Sequence, residues 1–392
     1  MKILMVHNAY AGRSGEEIQF DAIGKLLAEQ GHDISLYTRN SEVIARSAAG
    51  ELKAFFTGIW NPRSRRDMRK LLGEKRPDLV FVQNLYPLIS PSILPLFRQE
   101  GIPIVMRVAN YRLMCPNGLH LSHGSVCERC LGGKEYWCLL MNCEENIFKS
   151  AGYALRNAVA RIEGWYKKNV AEYICASTFL RNRMQEAGFA EERLHIIPNV
   201  VPDVERTDIA GAQDYVAYVG RISREKGVGV LIAAAERCPE IPFRFAGNLN
   251  PSFRLPSSLP KNIEFTGFLG KKALSEFYTG ARFVVSCSEC FETFGISAAE
   301  AMLHEKPVIA SRIGVFPEFV QEGITGMLAE PGNADDLARK VRELWEQQPD
   351  LCRAMGKAGR QRALSEYSPD VYYARIMNVL MKSKQHRHAA SY

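Results

Sequence analysis

The sequence predicts an α/β protein built from two Rossmann-like domains, each organised around a parallel sheet. Three observations carry that expectation. Two successive series of short apolar runs alternate with helix-compatible segments, a polar and proline-marked stretch separates the series, and 392 residues suffice for two domains of ordinary size.

The first series opens with Ile3 to Val6, then a loop containing Gly12 and Gly15, then a stretch that places Ile18, Ala22, Leu26 and Leu27 on one helical face, then Ile34 to Tyr37. Strand, helix and strand in that order form a βαβ unit, which implies parallel pairing. Further runs of buried type follow at Leu79 to Val82, Ile104 to Val108, Tyr173 to Ala176 and Leu194 to Ile197. After Pro198, Pro202 and polar residues ending near Asp214 comes the second series: YVAYVG, FRFAG, IEFTG, RFVVSC, PVIAS and TGMLAE. These runs are short, rich in Val, Ile and Phe, and each precedes a helix-compatible segment. The expected boundaries are 1–198 for the first domain, with a cysteine-rich insertion over 115–143, and 199–367 for the second. A helix and a basic tail follow over 368–392, with the last dozen residues frayed.

Composition narrows the class. Hydrophobic residues make up 46% of the chain, enough for two cores, and the net charge is +7. Part of the surplus lies at Arg63, Arg65, Arg66, Arg69, Lys70, Lys75 and Arg76, a face that attracts phosphates, acidic membranes or nucleic acid. No reader module and no basic stripe with interleaved aromatics is present, so nucleic acid is not an expected partner. No apolar run reaches the roughly 18 residues of a membrane helix. The opening MKILMVHNAYAG is too short in its apolar part for a signal peptide. The expectation is a cytoplasmic protein, soluble or peripheral at the inner face of the membrane. Ten cysteines without an export signal agree with a reducing compartment.

The most informative segment is SECFETFGISAAEAMLHEKPVIAS. It sets Glu292 before Gly295, and Glu300 inside the helix that Gly295 opens. The unpaired amides of Ile296 and Ser297, aligned with the helix dipole, suit a diphosphate, and Gly295 admits it close to the backbone. Glu300 is placed to accept hydrogen bonds from ribose hydroxyls, and Glu292 to hold a sugar. Upstream, YVGRISREKG puts Arg221 and Lys226 just after a strand, where two fixed cations neutralise a diphosphate without a catalytic metal. Glutamates at this spacing, or two cations, are ordinarily solvated surface; their joint placement at two strand ends favours a site.

Together these motifs resemble the retaining glycosyltransferases of family 4. The resemblance extends to VHN, RSGEE, ANYRLMCPNG, HIIPNVV and the segment from Tyr367 to Met381, which in family members is a helix folded back on the N-terminal domain. It implies the GT-B architecture, two Rossmann-like domains with parallel sheets facing each other across a cleft. Carried onto this chain, it implies Arg221 and Lys226 on the diphosphate and Glu292 and Phe294 at the donor sugar. It also implies the Gly295, Ile296 and Ser297 backbone near phosphate or sugar, Glu300 on ribose, Asn199 near the interdomain hinge, and Gly15 at the phosphate. Two departures stand out: Ala109 occupies the place of a common histidine, and Ser14 precedes Gly15 where a glycine pair is usual.

Between 115 and 143 lie Cys115, Cys127, Cys130, Cys138 and Cys143, with a CxxC at 127 to 130. Four thiolates fit tetrahedral zinc in a structural role. Five candidates for four places leave the ligand set open, and unligated or disulfide-paired thiols are the alternative. Cys287 and Cys290 form a second CxxC, read as packing.

The activity implied is transfer of a glycosyl group, with retention, from a nucleoside diphosphate sugar to a hydroxyl of a saccharide or lipid-linked acceptor, in polysaccharide or glycoconjugate synthesis. The basic N-terminal face then suits an anionic membrane carrying that acceptor. A sugar-nucleotide epimerase of the same architecture is the nearer alternative, and a basic zinc-bearing nucleic-acid-binding protein the remoter one.

Overall fold

The computed structural model describes residues 1–10, 14–43, 55–201, 204, 214–347 and 349–389. Gly12 and most of the expected linker around Pro202 lie outside them. The chain folds as two compact units. The first holds Met1–Ser122, Cys127–Val200 and the segment from Pro369 on; the second holds His123–Val126 and Val201–Ser368.

The strands of the first unit's sheet are β1 (Lys2–Ala9), β2 (Asp33–Asn40), β3 (Leu79–Val82), β4 (Ile104–Val108), β7 (Glu172–Cys175) and β8 (Leu194–Ile196). Two short strands, β5 (Leu121–Ser122) and β6 (Ser125–Val126), pair in the cysteine-rich segment. The second unit contributes β9 (Val216–Val219), β10 (Phe243–Ala246), β11 (Ile263–Gly267), β12 (Phe283–Ser286), β13 (Val308–Ser311) and β14 (Gly326–Ala329). The two large sheets run β2-β1-β3-β4-β7-β8 and β11-β10-β9-β12-β13-β14, and their strands pair in parallel. This is the two-domain Rossmann-like α/β fold that the two series of apolar runs predict. Strands covered on both faces have no solvent side, which is why LVFV and IVMRV are buried at every position instead of alternating.

The helix Gly15–Glu29 buries Phe20, Ile23, Leu26 and Leu27 against β1 and β3 residues, whereas Ile18 is 46% exposed. Of the expected helical face, Leu26 and Leu27 are buried and Ala22 packs against the same core; Ile18 alone turns outward, and Phe20 and Ile23 complete the face. The C-terminal helix Pro369–Ala389 completes the same core through Tyr372, Ile376, Val379 and Leu380. It continues past Met381, where a frayed tail was expected. Ser383 is fully buried there, and Lys382 donates to the Glu192 carbonyl at 2.6 Å. No helix among the described residues is long and apolar enough to cross a membrane.

One buried carboxylate ties this helix to the sheet. Glu172 has no exposure and meets His195 Nε2 at 2.6 Å and Lys382 Nζ at 3.3 Å. Burial alone would raise its pKa; the His195 hydrogen bond and the Lys382 charge outweigh burial and hold it below the ordinary value. A folded pKa below the unfolded one stabilises the protein above the unfolded pKa and is lost as pH falls below about 5. Glu172→Gln should therefore lower the melting temperature at pH 7 and flatten its acid dependence. Melts of both proteins from pH 3 to 7 check this; a constant gap across the range contradicts it.

Candidate functional site

The second sheet reverses its direction of progression between β9 and β12, the switch point where open α/β sheets leave a crevice beyond their strand ends. The two motifs singled out in the sequence leave from these two neighbouring strands. After β9 come Gly220, Arg221 and Lys226, then the helix Val228–Arg237; after β12 comes the loop to Gly295, then the helix Ile296–Leu303. Strand order thus joins segments far apart in the chain.

Gly227 shows how tightly they join. Its φ is +69°, and a Cβ there would lie 1.8 Å from the Cys287 carbonyl oxygen, so a side chain is excluded. With the loops at that separation, Lys226 Nζ and Glu292 Oε1 form an ion pair, and Ser288 Oγ donates to the same carboxylate oxygen at 2.7 Å. Burial disfavours both charges. The pairing overrides it: Lys226 is held above its ordinary pKa and Glu292 below its own. Both are fixed in their charged forms, so Glu292 is a hydrogen-bond acceptor and a weak base.

Gly295 takes φ +86° at the mouth of the helix Ile296–Leu303, and a Cβ would lie 2.9 Å from the Phe316 ring. The left-handed turn aims the first amides of the helix, those of Ile296 and Ser297, out of the helix end with no acceptor in the preceding turn. One turn on, Glu300 Oε2 accepts from the Tyr278 hydroxyl at 2.9 Å. Burial raises the Glu300 pKa, and the Tyr278 hydrogen bond offsets only part of that.

Arg221 is 52% exposed and pairs with Glu225, four residues on. Phe294 turns its ring away from solvent. The ring is 2% exposed and packs edge-on against Phe319 and Tyr367 at 5.5 and 5.1 Å, so it braces the loop that carries Glu292 and Gly295. Glu225, Ser288 and Tyr278 escaped the sequence reading. The Arg221–Glu225 spacing was the one available signal; Tyr278 and Ser288 belong to no motif.

Gly15 and Asn199 lie in the first unit. Gly15 begins its helix behind the Ser14 cap, and Glu17 closes the capping box, accepting from the Tyr10 and Ser14 amides at 2.8 Å each. Burial raises the Glu17 pKa, but hydrogen bonds from His7, Ser14 and the two amides bring it down to about 2. Ser14, standing where a glycine was expected, is thus the residue that starts the helix. Asn199 is 2% exposed, and its Oδ1 accepts from Arg107 Nη2 at 2.7 Å.

The cysteine-rich segment brings the thiols of Cys115, Cys127 and Cys143 close enough to Cys130 to act on its charge. Among the described residues no three His, Cys, Asp or Glu side chains converge as metal ligands. The five cysteines are free thiols: Cys115 contacts Asn117 Oδ1 at 3.0 Å, Cys143 contacts Ser122 Oγ at 3.5 Å, and Cys130 and Cys138 pack with Ala154. Burial pushes the Cys115 thiol up to about 11 and Cys130 to about 12, and at Cys130 the neighbouring Cys115, Cys143 and Cys127 add to the rise. Cys287 and Cys290 are buried, and Cys287 Sγ lies 3.2 Å from the Gly227 carbonyl oxygen.

A model of glycosyl transferases group 1 matches residues 203–362, and a model of glycosyltransferase family 4 matches residues 13–205. The chain belongs to the GT-B glycosyltransferases. An uncharacterized glycosyltransferase of Methanocaldococcus jannaschii is 31% identical over 197 residues, covering 49% of this chain and 54% of that protein. The alpha-maltose-1-phosphate synthase of Mycolicibacterium smegmatis is 32% identical over 171 residues, covering 39% and 44%. The chain spans about half the length, or less, of these curated relatives. Among solved glycosyltransferase structures, the sucrose-phosphate synthase of Thermosynechococcus elongatus superposes with a TM-score of 0.73 at 18% identity over all of both chains. HepE of Anabaena, solved in complex with UDP, superposes with a TM-score of 0.67 at 18% identity, covering 97% of this chain and all of the other. At such identity the likeness establishes the GT-B fold.

Proposed function

We propose that the protein is a retaining glycosyltransferase that moves a sugar from a nucleoside diphosphate sugar to a hydroxyl of a saccharide or lipid-linked acceptor, in polysaccharide or glycoconjugate synthesis. The observation that carries this is the Lys226–Glu292 pair at the β9/β12 switch point, beside the open N-terminus of the helix Ile296–Leu303. A cation held charged, free helix amides and Arg221 form one positive end, suited to a diphosphate. Glu300, a turn inside the helix, offers its second carboxylate oxygen to ribose.

In this reading Lys226 and Arg221 carry the charge that grows on the leaving diphosphate, and Glu292 accepts from hydroxyls of the donor sugar. The bond from the anomeric carbon to the phosphate oxygen breaks, and the bond to the acceptor oxygen forms on the same face. The acceptor's proton passes to the departing phosphate oxygen. Glu292 is a poor candidate for a covalent nucleophile, because Lys226 and Ser288 already hold its charge. The transition state has oxocarbenium character, which such fixed charges favour.

A thermal-shift panel of UDP-, GDP- and ADP-sugars should show one donor raising the melting temperature by mass action. With that donor and an accepted hydroxyl compound, NMR of the product should show the anomeric configuration of the donor. An inverted product would overturn the retaining mechanism, and release of nucleoside diphosphate at the same rate without acceptor would overturn transfer.

A further inference from the structure

The helix Ile147–Ile162 of the first unit leaves its large apolar side chains outside. Its buried side mixes the small Gly152, Ala154 and Ala160 with Ser150, Arg156 and Asn157, while Phe148, Leu155 and Ile162 are 82%, 47% and 69% exposed. These three are seven residues apart, two helical turns each, so they form one ridge along the length of the helix. Large apolar side chains left in water along one line mark a surface with a partner.

The ridge is not isolated. Phe55 lies over Gly152, between Phe148 and Leu155 on the same side, where a Cβ at Gly152 would come 2.5 Å from its ring. Phe55 packs edge-on with Phe56, which is 60% exposed. The chain continues to Trp60, 47% exposed, whose ring lies under the Arg65 guanidinium at 4.4 Å. Trp60 in turn enters the helix Pro62–Lys75, which carries Arg63, Arg65, Arg66, Arg69, Lys70 and Lys75 against two acids, Asp67, paired with Arg39, and Glu74, paired with Lys70. An apolar ridge thus runs into a basic helix.

We infer that this surface docks the protein onto an anionic lipid bilayer, with the Phe148–Leu155–Ile162 ridge in the interface and the Arg63–Lys70 stretch on the headgroups. Such an arrangement has the two ingredients of peripheral binding: apolar side chains for the acyl boundary and cations for the negative surface potential. A symmetric dimer through the same surface is disfavoured by charge, because a two-fold contact would set each basic helix near its own copy. Docking is independent of the transfer reaction: it follows from exposure and charge alone.

The test is co-sedimentation of the full chain with phosphatidylcholine vesicles and with vesicles containing phosphatidylglycerol. Binding should require the anionic lipid and weaken as salt rises. The triple change Phe148→Ser, Leu155→Ser, Ile162→Ser should lower the partition coefficient at least 10-fold with the circular dichroism unchanged, since all three side chains are solvent-facing. Arg63→Glu with Arg66→Glu and Arg69→Glu should do the same. No pelleting with anionic vesicles would overturn the proposal, as would binding that both variants retain. A concentration-dependent dimer that the triple change dissociates, with no vesicle binding, would assign the ridge to a second copy instead.

Discussion

Glu300→Ala is expected to raise the donor KM by about 10- to 100-fold and leave kcat within a few-fold of the parent. Hydrogen bonds to a charged group contribute about 1.5–3 kcal/mol, which spans that range. Ribose is remote from the bond that breaks, so the loss falls on binding in the ground and transition states alike and shows in KM. The fold should survive, because the Tyr278 hydroxyl also lies 3.1 Å from the Ser297 carbonyl and keeps an acceptor when the carboxylate is gone. Steady-state kinetics with the donor varied, beside a melting curve, check both halves. An unchanged KM in a folded variant would remove Glu300 from the nucleotide site. Because burial raises the Glu300 pKa, acid should also weaken donor binding at a higher pH than for an ordinary surface carboxylate.

Lys226→Met is expected to act on chemistry and stability together. Removing a fixed charge from a developing anion costs on the order of 10²- to 10³-fold in kcat. The substitution also strands Glu292, whose side chain is only 18% exposed, without its counter-charge. Breaking a fully buried pair costs about 3–5 kcal/mol, and this pair keeps some solvent, so about 2–3 kcal/mol is expected. That corresponds to a fall of roughly 5–10 °C in melting temperature. Adding Glu292→Gln should return most of the stability, since the stranded charge is gone, and none of the turnover. Kinetics and melts of the two single variants and the double variant form a complete cycle. Recovery of kcat in the double variant would show that Lys226 serves only to hold Glu292.

How far the sequence reached is visible in these same residues. All six runs of the second series became strands; five are apolar-rich stretches in the buried part of the sheet, and the sixth, β11, is an edge strand, where no residue is buried. The switch-point loops were legible for a related reason: Gly220, Gly227 and Gly295 require backbone that other residues avoid, and they frame the motifs. Phe294 was not legible, because an aromatic residue in a glycine-bounded loop has the same local signature whether it meets a ligand or, as here, the rings of Phe319 and Tyr367. In the cysteine-rich segment the CxxC spacing was legible, whereas the neighbours that the thiols meet, Asn117, Ser122 and Ala154, were not, because spacing does not encode their proximity.

The sequence by itself therefore determined the strands, their parallel pairing through βαβ units, the two-domain architecture and the segments that carry the motifs. All of these follow from local periodicity, backbone requirements and chain order. Only the tertiary structure decided that Lys226 and Glu292 are one ion pair, that Tyr278 holds Glu300, and that the ridge at Phe148, Leu155 and Ile162 faces outward. Each of these depends on which elements become neighbours or stay uncovered, and that is set by strand order and packing rather than by any window of adjacent residues.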